Sequence, residues 1–335
     1  MFSRREKRHK GRGRPDEGRP AKRNGGRGMV RGRFAPSPSG RMHLGNVFTA
    51  LLAWLSAKSQ GGDIALRVED LDPDRSRPEY VRALLEDFRW LGLDWDVRAQ
   101  DQSERAAIYE EAMDHLREQG LIYPCFCSRD QLHAASAPHT SDGRVIYGGF
   151  CRDLAVTEAM LLRPHSLRAR VPDRAIAFTD GLQGPQSMNL QREWGDFIVR
   201  RADRTAAYQL AVVVDDAACG VTEVVRGRDL LSSTPAQLWL YETLGLTPPR
   251  FYHVPLLLAP DGRRLSKRDR DLNLDQLRAR WSPRRIIGLL AWKAGLTGRW
   301  EEVSPRELLP RFDWAKVRRE NIVLDDLQGC ALHDF

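Results

Sequence analysis

The pattern of apolar and polar residues alternates between short strands and helices over the first third of the chain. A short apolar run leads into the loop 33–46, which is broken by Pro and Gly, and the apolar segment 47–55 follows directly. Residues 63–68 are almost continuously apolar, which predicts a second strand. Helical spacing of apolar residues over 78–92 and 104–119 predicts two further helices. This order of strand, loop and helix is typical of an α/β fold.

The same alternation resumes near residue 196. Segments 220–227 and 251–258 are strand-like, and a helix over 234–244 is predicted by Pro at its start and Gly just after its end. The residues from 274 to 335 look helical. Their predicted apolar face consists of Ile286, Ile287, Leu289, Leu290 and Trp292.

The loop 33–46 is the first candidate for chemistry, because a strand-to-helix loop leaves unpaired backbone N–H groups and a helix N-terminus facing one crevice. Such a place favours an anion. His43 and Arg41 lie at its mouth, His43 can donate to a phosphate, and Gly45 allows close approach of the backbone. The alternative interpretation is an ordinary turn cluster with a surface histidine.

Two further polar segments are candidates. Glu69, Asp70 and Asp72 follow the second strand, at the end where α/β sheets bind ligands, although a solvated turn before the next helix is the simpler alternative. The loop 262–269 is cationic, and Lys267 could stabilise charge that develops on a triphosphate as pyrophosphate leaves. Taken alone, the segment 262–269 is better explained as a basic surface loop than as a triphosphate-binding loop.

The segment 120–195 interrupts the α/β alternation and contains a cysteine cluster, which consists of Cys125, Cys127 and Cys151. Three cysteines with this spacing predict a tetrahedral zinc site that needs one more ligand. The candidates for that ligand are Tyr147, His133 and His139. Histidine is the commoner zinc ligand, whereas Tyr147 lies only four residues before Cys151. Three reduced, buried thiols are the alternative to a metal site.

Charge is distributed unevenly along the chain. The 335 residues have a formal net charge of +8, and residues 1–28 alone carry 11 Lys and Arg against 3 Asp and Glu. This tail accounts for the whole excess, so net charge gives no support for a nucleic-acid surface on the remaining body. The tail cannot bury enough apolar surface and is predicted to be disordered. It is either an arm that attracts RNA or a dispensable extension.

Composition points to a cytoplasmic protein with no membrane partner. No apolar run approaches the roughly 18 to 20 residues that span a bilayer, and the N-terminus lacks the apolar core of a secretory signal. The five cysteines are an odd number, which argues against a disulfide framework. The apolar fraction of 41% can supply the cores of two or three domains.

Three motifs occur in order along the chain. Residues 33–46 read Arg-Phe-Ala-Pro-Ser-Pro-Ser-Gly-Arg-Met-His-Leu-Gly-Asn, residues 67–72 read Arg-Val-Glu-Asp-Leu-Asp, and residues 264–268 read Arg-Leu-Ser-Lys-Arg. With a Tyr…Asp-Asp…Arg block between them, they resemble the class I glutamyl-tRNA synthetases over roughly residues 30 to 300. The first and last motifs correspond to the His-Ile-Gly-His and Lys-Met-Ser-Lys-Ser signatures of that class.

Only 67 residues follow Arg268, so we expect no anticodon-binding domain. Together with the cysteine cluster, this length resembles the glutamyl-queuosine tRNA(Asp) synthetases. In that family three Cys and one Tyr hold zinc, so the resemblance selects Cys125, Cys127, Tyr147 and Cys151 for one structural zinc. It further implies ATP-dependent, tRNA-independent activation of L-glutamate to glutamyl-adenylate. The glutamate is then transferred to the queuosine base at the wobble position of the tRNA(Asp) anticodon stem-loop.

The resemblance also implies roles for individual residues. The expected glutamate-binding residues are Arg33, Phe34, Ala35, Pro36, Ser37, Glu69, Tyr208 and Arg226. The expected ATP-binding residues are His43, Gly45, Asn46 and Lys267, with His43 and Lys267 also catalytic and Mg²⁺ on the triphosphate. Arginine suits the substrate carboxylates, the hydroxyls of Ser and Tyr add hydrogen bonds, and the Glu carboxylate pairs with the α-ammonium group.

Two positions depart from the family pattern. Asn46 replaces the second His of the first signature, although an amide can still hydrogen-bond a phosphate or ribose. Val212 stands four positions after Tyr208, where glutamyl-tRNA synthetases commonly have Asn, and so removes a polar contact with the amino acid. The alternative functions are a minimal glutamyl-tRNA synthetase that charges tRNA(Glu) and a non-catalytic tRNA-binding paralogue.

The predicted architecture is a class I synthetase Rossmann-like α/β domain with an inserted zinc-containing α+β subdomain and a short, mainly helical C-terminal region. The predicted units are the tail 1–28, the first catalytic half 29–119, the insertion 120–195, the second catalytic half 196–258 and the lysine-loop and helical region 259–335. We expect a monomer.

Overall fold

The computed structural model describes residues 29–128, 146–265 and 273–324. The basic tail, His133, His139 and Lys267 therefore lie outside the described residues. The first elements form a parallel sheet in the order β1, β2, β3, with a helix after each of its first two strands. These elements are β1 (Arg31–Phe34), α1 (Leu44–Ser59), β2 (Asp63–Leu66), α2 (Pro78–Leu91) and β3 (Val97–Arg98). The predicted strand–loop–helix order is confirmed.

The middle of the chain is mainly antiparallel. It consists of α3 (Ala106–Glu118), β4 (Ile122–Cys125), α4 (Glu158–Leu161), β5 (Ser166–Ala169), β6 (Ala175–Asp180), β7 (Gly184–Asn189) and β8 (Ile198–Arg200). Strand β5 lies between β4 and β8, and β6 pairs with β7 as a hairpin. A π-helical turn, Leu190–Trp194, follows the hairpin. Antiparallel pairing needs only short connections, so this region departs from the parallel α/β alternation.

Parallel pairing returns in the next segment. Its elements are α5 (Tyr208–Ala218), β9 (Glu223–Gly227), the 3₁₀ segment Arg228–Ser233, α6 (Thr234–Thr243), β10 (Arg250–Val254) and β11 (Leu257–Leu258). The backbone N–H of Thr222 donates to the carbonyl of Arg31 at 2.9 Å, which joins the start of β9 to β1. The predicted strand over 251–258 is divided in two, because Pro255 between β10 and β11 has no N–H to donate to a ladder.

The C-terminal region is less helical than the sequence predicts. Helices α7 (Leu274–Arg278), α8 (Pro283–Ala294) and α9 (Pro305–Leu308) are followed by 3₁₀ turns and by β12 (Ile322–Val323). Strand β12 pairs in parallel with β11. The predicted apolar face of α8 is confirmed for Ile286, Ile287, Leu289 and Leu290, which are fully buried. These side chains pack in one core with α1, which explains why α1 is apolar on nearly every side.

Within the described residues, no helix is both long enough and apolar enough to span a membrane.

Candidate functional site

A cavity of about 530 Å³ opens at the carboxyl ends of β1, β2 and β9. Ligands of open α/β sheets bind at this edge, because the loops that leave parallel strands meet there. Every described residue that the sequence singles out for glutamate or ATP lines this one cavity. These residues are Arg33, Phe34, Ala35, Pro36, Ser37, His43, Gly45, Asn46, Glu69, Tyr208 and Arg226.

A buried ion network forms one wall of the cavity. Arg33 donates from Nε to Asp216 at 3.4 Å, and Arg67 donates to the same carboxylate at 2.6 Å. Arg67 also donates to Oε1 of Glu69 at 3.0 Å. Arg67 therefore fixes the Glu69 side chain, whose Oε2 can accept from a cation in the cavity.

A third carboxylate, that of Asp215, belongs to this ion network. Asp215 is fully buried and accepts hydrogen bonds from Gln102, Arg105 and Tyr109 at 2.7, 2.7 and 2.9 Å. It also lies 3.7 Å from Nε of Arg67. Since buried charges are stable only when paired and hydrogen-bonded, Asp215 helps to hold Arg67 in place, and it does so without lining the cavity.

Two of the three carboxylates around Arg67, those of Glu69 and Asp216, have pKa values shifted in opposite directions. Burial raises the pKa of Glu69, against the charges of Arg67 and Arg33. Burial also acts to raise the pKa of Asp216, but Arg67 and Arg33 outweigh it and hold that pKa below its usual value. Asp216 therefore stays ionised, whereas Glu69 is the carboxylate that is protonated more easily as the pH falls.

Arg226 is a buried cation with only neutral partners among the residues that the structure describes. Its Nε donates to Nε2 of His253 at 2.9 Å, its Nη1 to Gln237 at 2.7 Å and its Nη2 to Thr234 at 2.9 Å. No described carboxylate lies within 4 Å of the guanidinium. Because an uncompensated buried charge is costly, this geometry favours an anionic ligand in the cavity.

The start of α1 forms the other end of the cavity. The backbone N–H of His43, the N-cap residue, donates to Oδ1 of Asn46 at 3.1 Å. A Cβ on Gly45 would lie 3.0 Å from the His43 ring, so glycine at this position lets the imidazole lie close to the first turn without being displaced. Asn46 therefore caps this helix, and the backbone N–H groups beside His43 form a place for an anion.

The segment after the undescribed 266–272 stretch is fixed against this loop. The backbone N–H of Leu274 donates to the carbonyl of Met42 at 2.9 Å, and Arg41 donates to Asp275 at 2.6 Å. Arg41 lines the cavity but is held by this ion pair. The described residues nearest to Lys267 in sequence are therefore Leu265, which lines the cavity, and the segment from Asn273, which is fixed against the loop at Met42.

The cysteine cluster is assembled as a compact set of donors. The three sulfur atoms of Cys125, Cys127 and Cys151 all lie within 4.8 Å of one another. The phenolic oxygen of Tyr147 lies 3.5 Å from Sγ of Cys125 and 3.8 Å from Sγ of Cys127. The backbone N–H of Cys151 donates to the same oxygen at 2.8 Å. These donors could hold one metal ion.

The spacing of the donors fits a tetrahedral ion. With sulfur at about 2.3 Å and oxygen at about 2.0 Å from zinc, neighbouring sulfurs lie about 3.8 Å apart, and sulfur lies about 3.5 Å from oxygen. The observed separation of Sγ between Cys127 and Cys151 is 3.6 Å. Arg168 donates to Sγ of Cys125 at 3.3 Å and lies 3.9 Å over the Tyr147 ring, where its charge would stabilise the thiolate form of a metal ligand.

Several site residues carry no role in the sequence interpretation. Arg67, Asp215 and Asp216 belong to the sequence motifs, but the sequence alone assigns them no role. The signal that could have identified them is their position inside apolar runs, because charged residues in such runs are usually buried in ion pairs. The side-chain partners of Arg226 are Gln237, Thr234 and His253. No motif in the sequence around these three residues predicts that they bind Arg226.

Comparison with known proteins agrees with this geometry. A family model described as tRNA synthetases class I (E and Q), catalytic domain, matches residues 29–321. A glutamyl-Q tRNA(Asp) synthetase from Symbiobacterium thermophilum is 50% identical over 310 residues, covering 88% of this chain and 95% of that protein. The protein of the same name from Nitratidesulfovibrio vulgaris is 47% identical over 309 residues, with the same coverage of both chains.

A solved structure shows the same fold. The glutamate tRNA ligase from Elizabethkingia meningosepticum, crystallised in complex with its amino acid, superposes with a TM-score of 0.77 at 28% identity. The superposition covers 90% of this chain and 68% of that one. The family match and the curated relatives show that this chain belongs to the class I tRNA synthetases of the E and Q type, in the group of the glutamyl-Q tRNA(Asp) synthetases, and is a ligase.

Proposed function

We propose that this ligase activates L-glutamate with ATP without needing tRNA and transfers the glutamate to the queuosine base of tRNA(Asp). The observation that carries the proposal is the single cavity in which the buried Arg226 cation faces the N-terminus of α1. One end of this cavity suits an acidic amino acid and the other suits a phosphate chain. Adenylate formation needs both groups side by side.

The glutamate end is built from complementary charges. Arg226 and Arg33 bind the substrate carboxylates, and Glu69 accepts from the α-ammonium group. Tyr208 and Ser37 add hydroxyl groups. The backbone and side chains of residues 34–36 form the wall between this end and the ATP site.

The ATP end uses the first turn of α1. His43, Gly45 and Asn46 would lie against the phosphates, and Lys267 and a Mg²⁺ ion would supply positive charge to the phosphate oxygens. A carboxylate oxygen of glutamate attacks the α-phosphate, the new P–O bond forms and pyrophosphate leaves. A hydroxyl of queuosine then attacks the adenylate carbonyl, an ester forms and AMP leaves. Lys267 stabilises charge as it develops on the leaving pyrophosphate.

The metal site has a structural role in this proposal. Cys125, Cys127, Cys151 and Tyr147 would hold one Zn²⁺, and four protein ligands would leave no open position for a substrate. These four residues would then join the end of β4 to the turn at Cys151. His43 and Lys267 need no bond to the metal.

Support for the unusual acceptor comes from sequence identity. The chain is 50% identical to a glutamyl-Q tRNA(Asp) synthetase but only 28% identical to a glutamate tRNA ligase. The 28% identity to that ligase favours one second candidate, a minimal glutamyl-tRNA synthetase that charges tRNA(Glu). A non-catalytic paralogue has no need for a buried cation such as Arg226 at the cavity. We further propose that the protein acts as a monomer in the cytoplasm.

The acceptor is tested with radiolabelled glutamate and defined tRNAs. We expect label on tRNA(Asp) that carries queuosine, whether or not its 3′-terminal adenosine has been removed, and none on the same tRNA with guanosine at the wobble position. Label on tRNA(Glu) that requires the terminal adenosine would establish the second candidate instead. Absence of label from every tRNA, in protein that forms the adenylate, would contradict the transfer step.

A further inference from the structure

Behind Arg226, away from the cavity, lies a buried chain of polar groups. Nε of Arg226 lies 2.9 Å from Nε2 of His253, and Nδ1 of His253 lies 2.6 Å from Oδ2 of Asp180. The His253 side chain is completely buried, and that of Asp180 is nearly so. The three residues come from β9, β10 and β6, so the chain links the antiparallel insertion to the cavity.

The direction of these hydrogen bonds fixes the state of the histidine. A guanidinium can only donate, so Nε2 of His253 must be the acceptor and Nδ1 must carry the proton. Oδ2 of Asp180 accepts the hydrogen bond from this Nδ1–H. The orientation of the Asp180 carboxylate is fixed, because its Oδ1 accepts hydrogen bonds from the backbone N–H groups of Leu182 and Gln183 at 3.0 and 2.8 Å. Burial, assisted by the neighbouring charge of Arg226, lowers the pKa of His253. The imidazole of His253 is therefore neutral in these buried surroundings.

We propose that His253, held in its Nδ1–H tautomer by Asp180, is a positioning residue that orients Arg226 toward the carboxylate of the amino acid. This inference rests on the proposed role of Arg226 in binding glutamate. Neither His253 nor Asp180 lines the cavity. Both act through Arg226 and touch no substrate.

The neutrality of His253 is what makes the arrangement useful. A carboxylate in its place would form an ion pair with Arg226 and satisfy the cation before any ligand arrived. The imidazole, Gln237 and Thr234 instead fix the guanidinium plane through neutral acceptors. The positive charge stays available to an anion in the cavity, and the side chain needs no reorientation on binding.

Two matched substitutions separate the acceptor role from packing. In His253→Gln the amide lies near the former Nε2, so its oxygen can still accept from Arg226. In His253→Asn the amide lies near the former Nδ1, keeps the bond to Asp180 and loses the acceptor for Arg226. We expect KM for glutamate in pyrophosphate exchange to rise about 10- to 100-fold in His253→Asn and to change less than about threefold in His253→Gln.

The measurement includes readouts that a packing defect would not reproduce. KM for ATP and the thermal unfolding temperature should be similar in the two variants. Equal KM values for glutamate in both, or equal losses for glutamate and ATP, would overturn the positioning role. Wild-type protein without glutamate-dependent exchange would instead contradict the proposed function.

The tautomer of His253 can also be measured directly, in an experiment that does not depend on enzymatic activity. In ¹⁵N-histidine-labelled wild-type protein, NMR should show His253 as the neutral Nδ1–H tautomer. The Nε2–H tautomer or a charged ring at neutral pH would overturn the inference, whatever the enzyme catalyses.

Discussion

Replacing Arg226 by methionine should raise KM for glutamate at least about thirtyfold while leaving KM for ATP nearly unchanged. The substitution removes a buried cation from the proposed carboxylate site, and loss of one partner of a buried, hydrogen-bonded charge pair costs about 2 to 5 kcal/mol. Methionine has a similar length and no charge, so the fold should persist. Steady-state pyrophosphate exchange at varied glutamate and ATP concentrations measures both constants.

Arg306→Met provides the matched control. Arg306 is exposed and makes an ion pair with Asp94 at 2.7 Å, and neither residue lines the cavity. We expect its kinetic constants to stay within about twofold of the wild type, since exposed ion pairs contribute little. An Arg226→Met enzyme with unchanged affinity for glutamate would remove this residue from the substrate site.

Replacing Cys125 by serine should abolish metal binding and lower the unfolding temperature. Cys125 supplies one of three clustered sulfurs, and a serine hydroxyl is a much weaker zinc ligand than a thiolate at neutral pH. Because metal binding contributes directly to folding of the segment that it joins, the loss should be a drop of several degrees. Metal analysis and thermal unfolding of the purified protein give the two values.

Cys219→Ser is the control for this experiment. Cys219 is a partly buried free cysteine outside the cluster. We expect one zinc per chain in the wild type and in Cys219→Ser, and none in Cys125→Ser. Equal zinc contents in all three proteins would refute the metal site.

The sequence was most informative where chemistry is local. Residues 33–46 contain a strand end, a loop and a helix start in continuous order, so the position of His43 and Gly45 in one cavity could be predicted. The cysteine spacing likewise brings Cys125 and Cys127 together with no knowledge of the fold. Asn46 departs from the second His of the signature, and the structure shows that its amide oxygen accepts the His43 N–H at the start of α1.

The groups that hold Arg226 could not be predicted in the same way. Asp180 and His253 are separated by 73 residues, and neither stands in a recognisable motif. Only the packing of the β6–β7 hairpin against β10 brings them together, through the bond from the Gly181 N–H to the Phe251 carbonyl at 2.8 Å. A contact of this kind depends on tertiary structure rather than on local propensity.

The C-terminal region shows a different limit. Helical spacing correctly predicted the buried face of α8. Strand β12, in contrast, consists of two residues, and its partner β11 lies more than 60 residues earlier in the sequence. Two residues provide too little periodicity for any strand prediction.

The most direct test is exchange of labelled pyrophosphate into ATP by purified, zinc-loaded protein in the absence of any tRNA. We predict exchange that depends on L-glutamate, saturates with it and does not increase when tRNA is added. No exchange without tRNA, or exchange that appears only with tRNA(Glu), would contradict tRNA-independent activation of glutamate in this cavity.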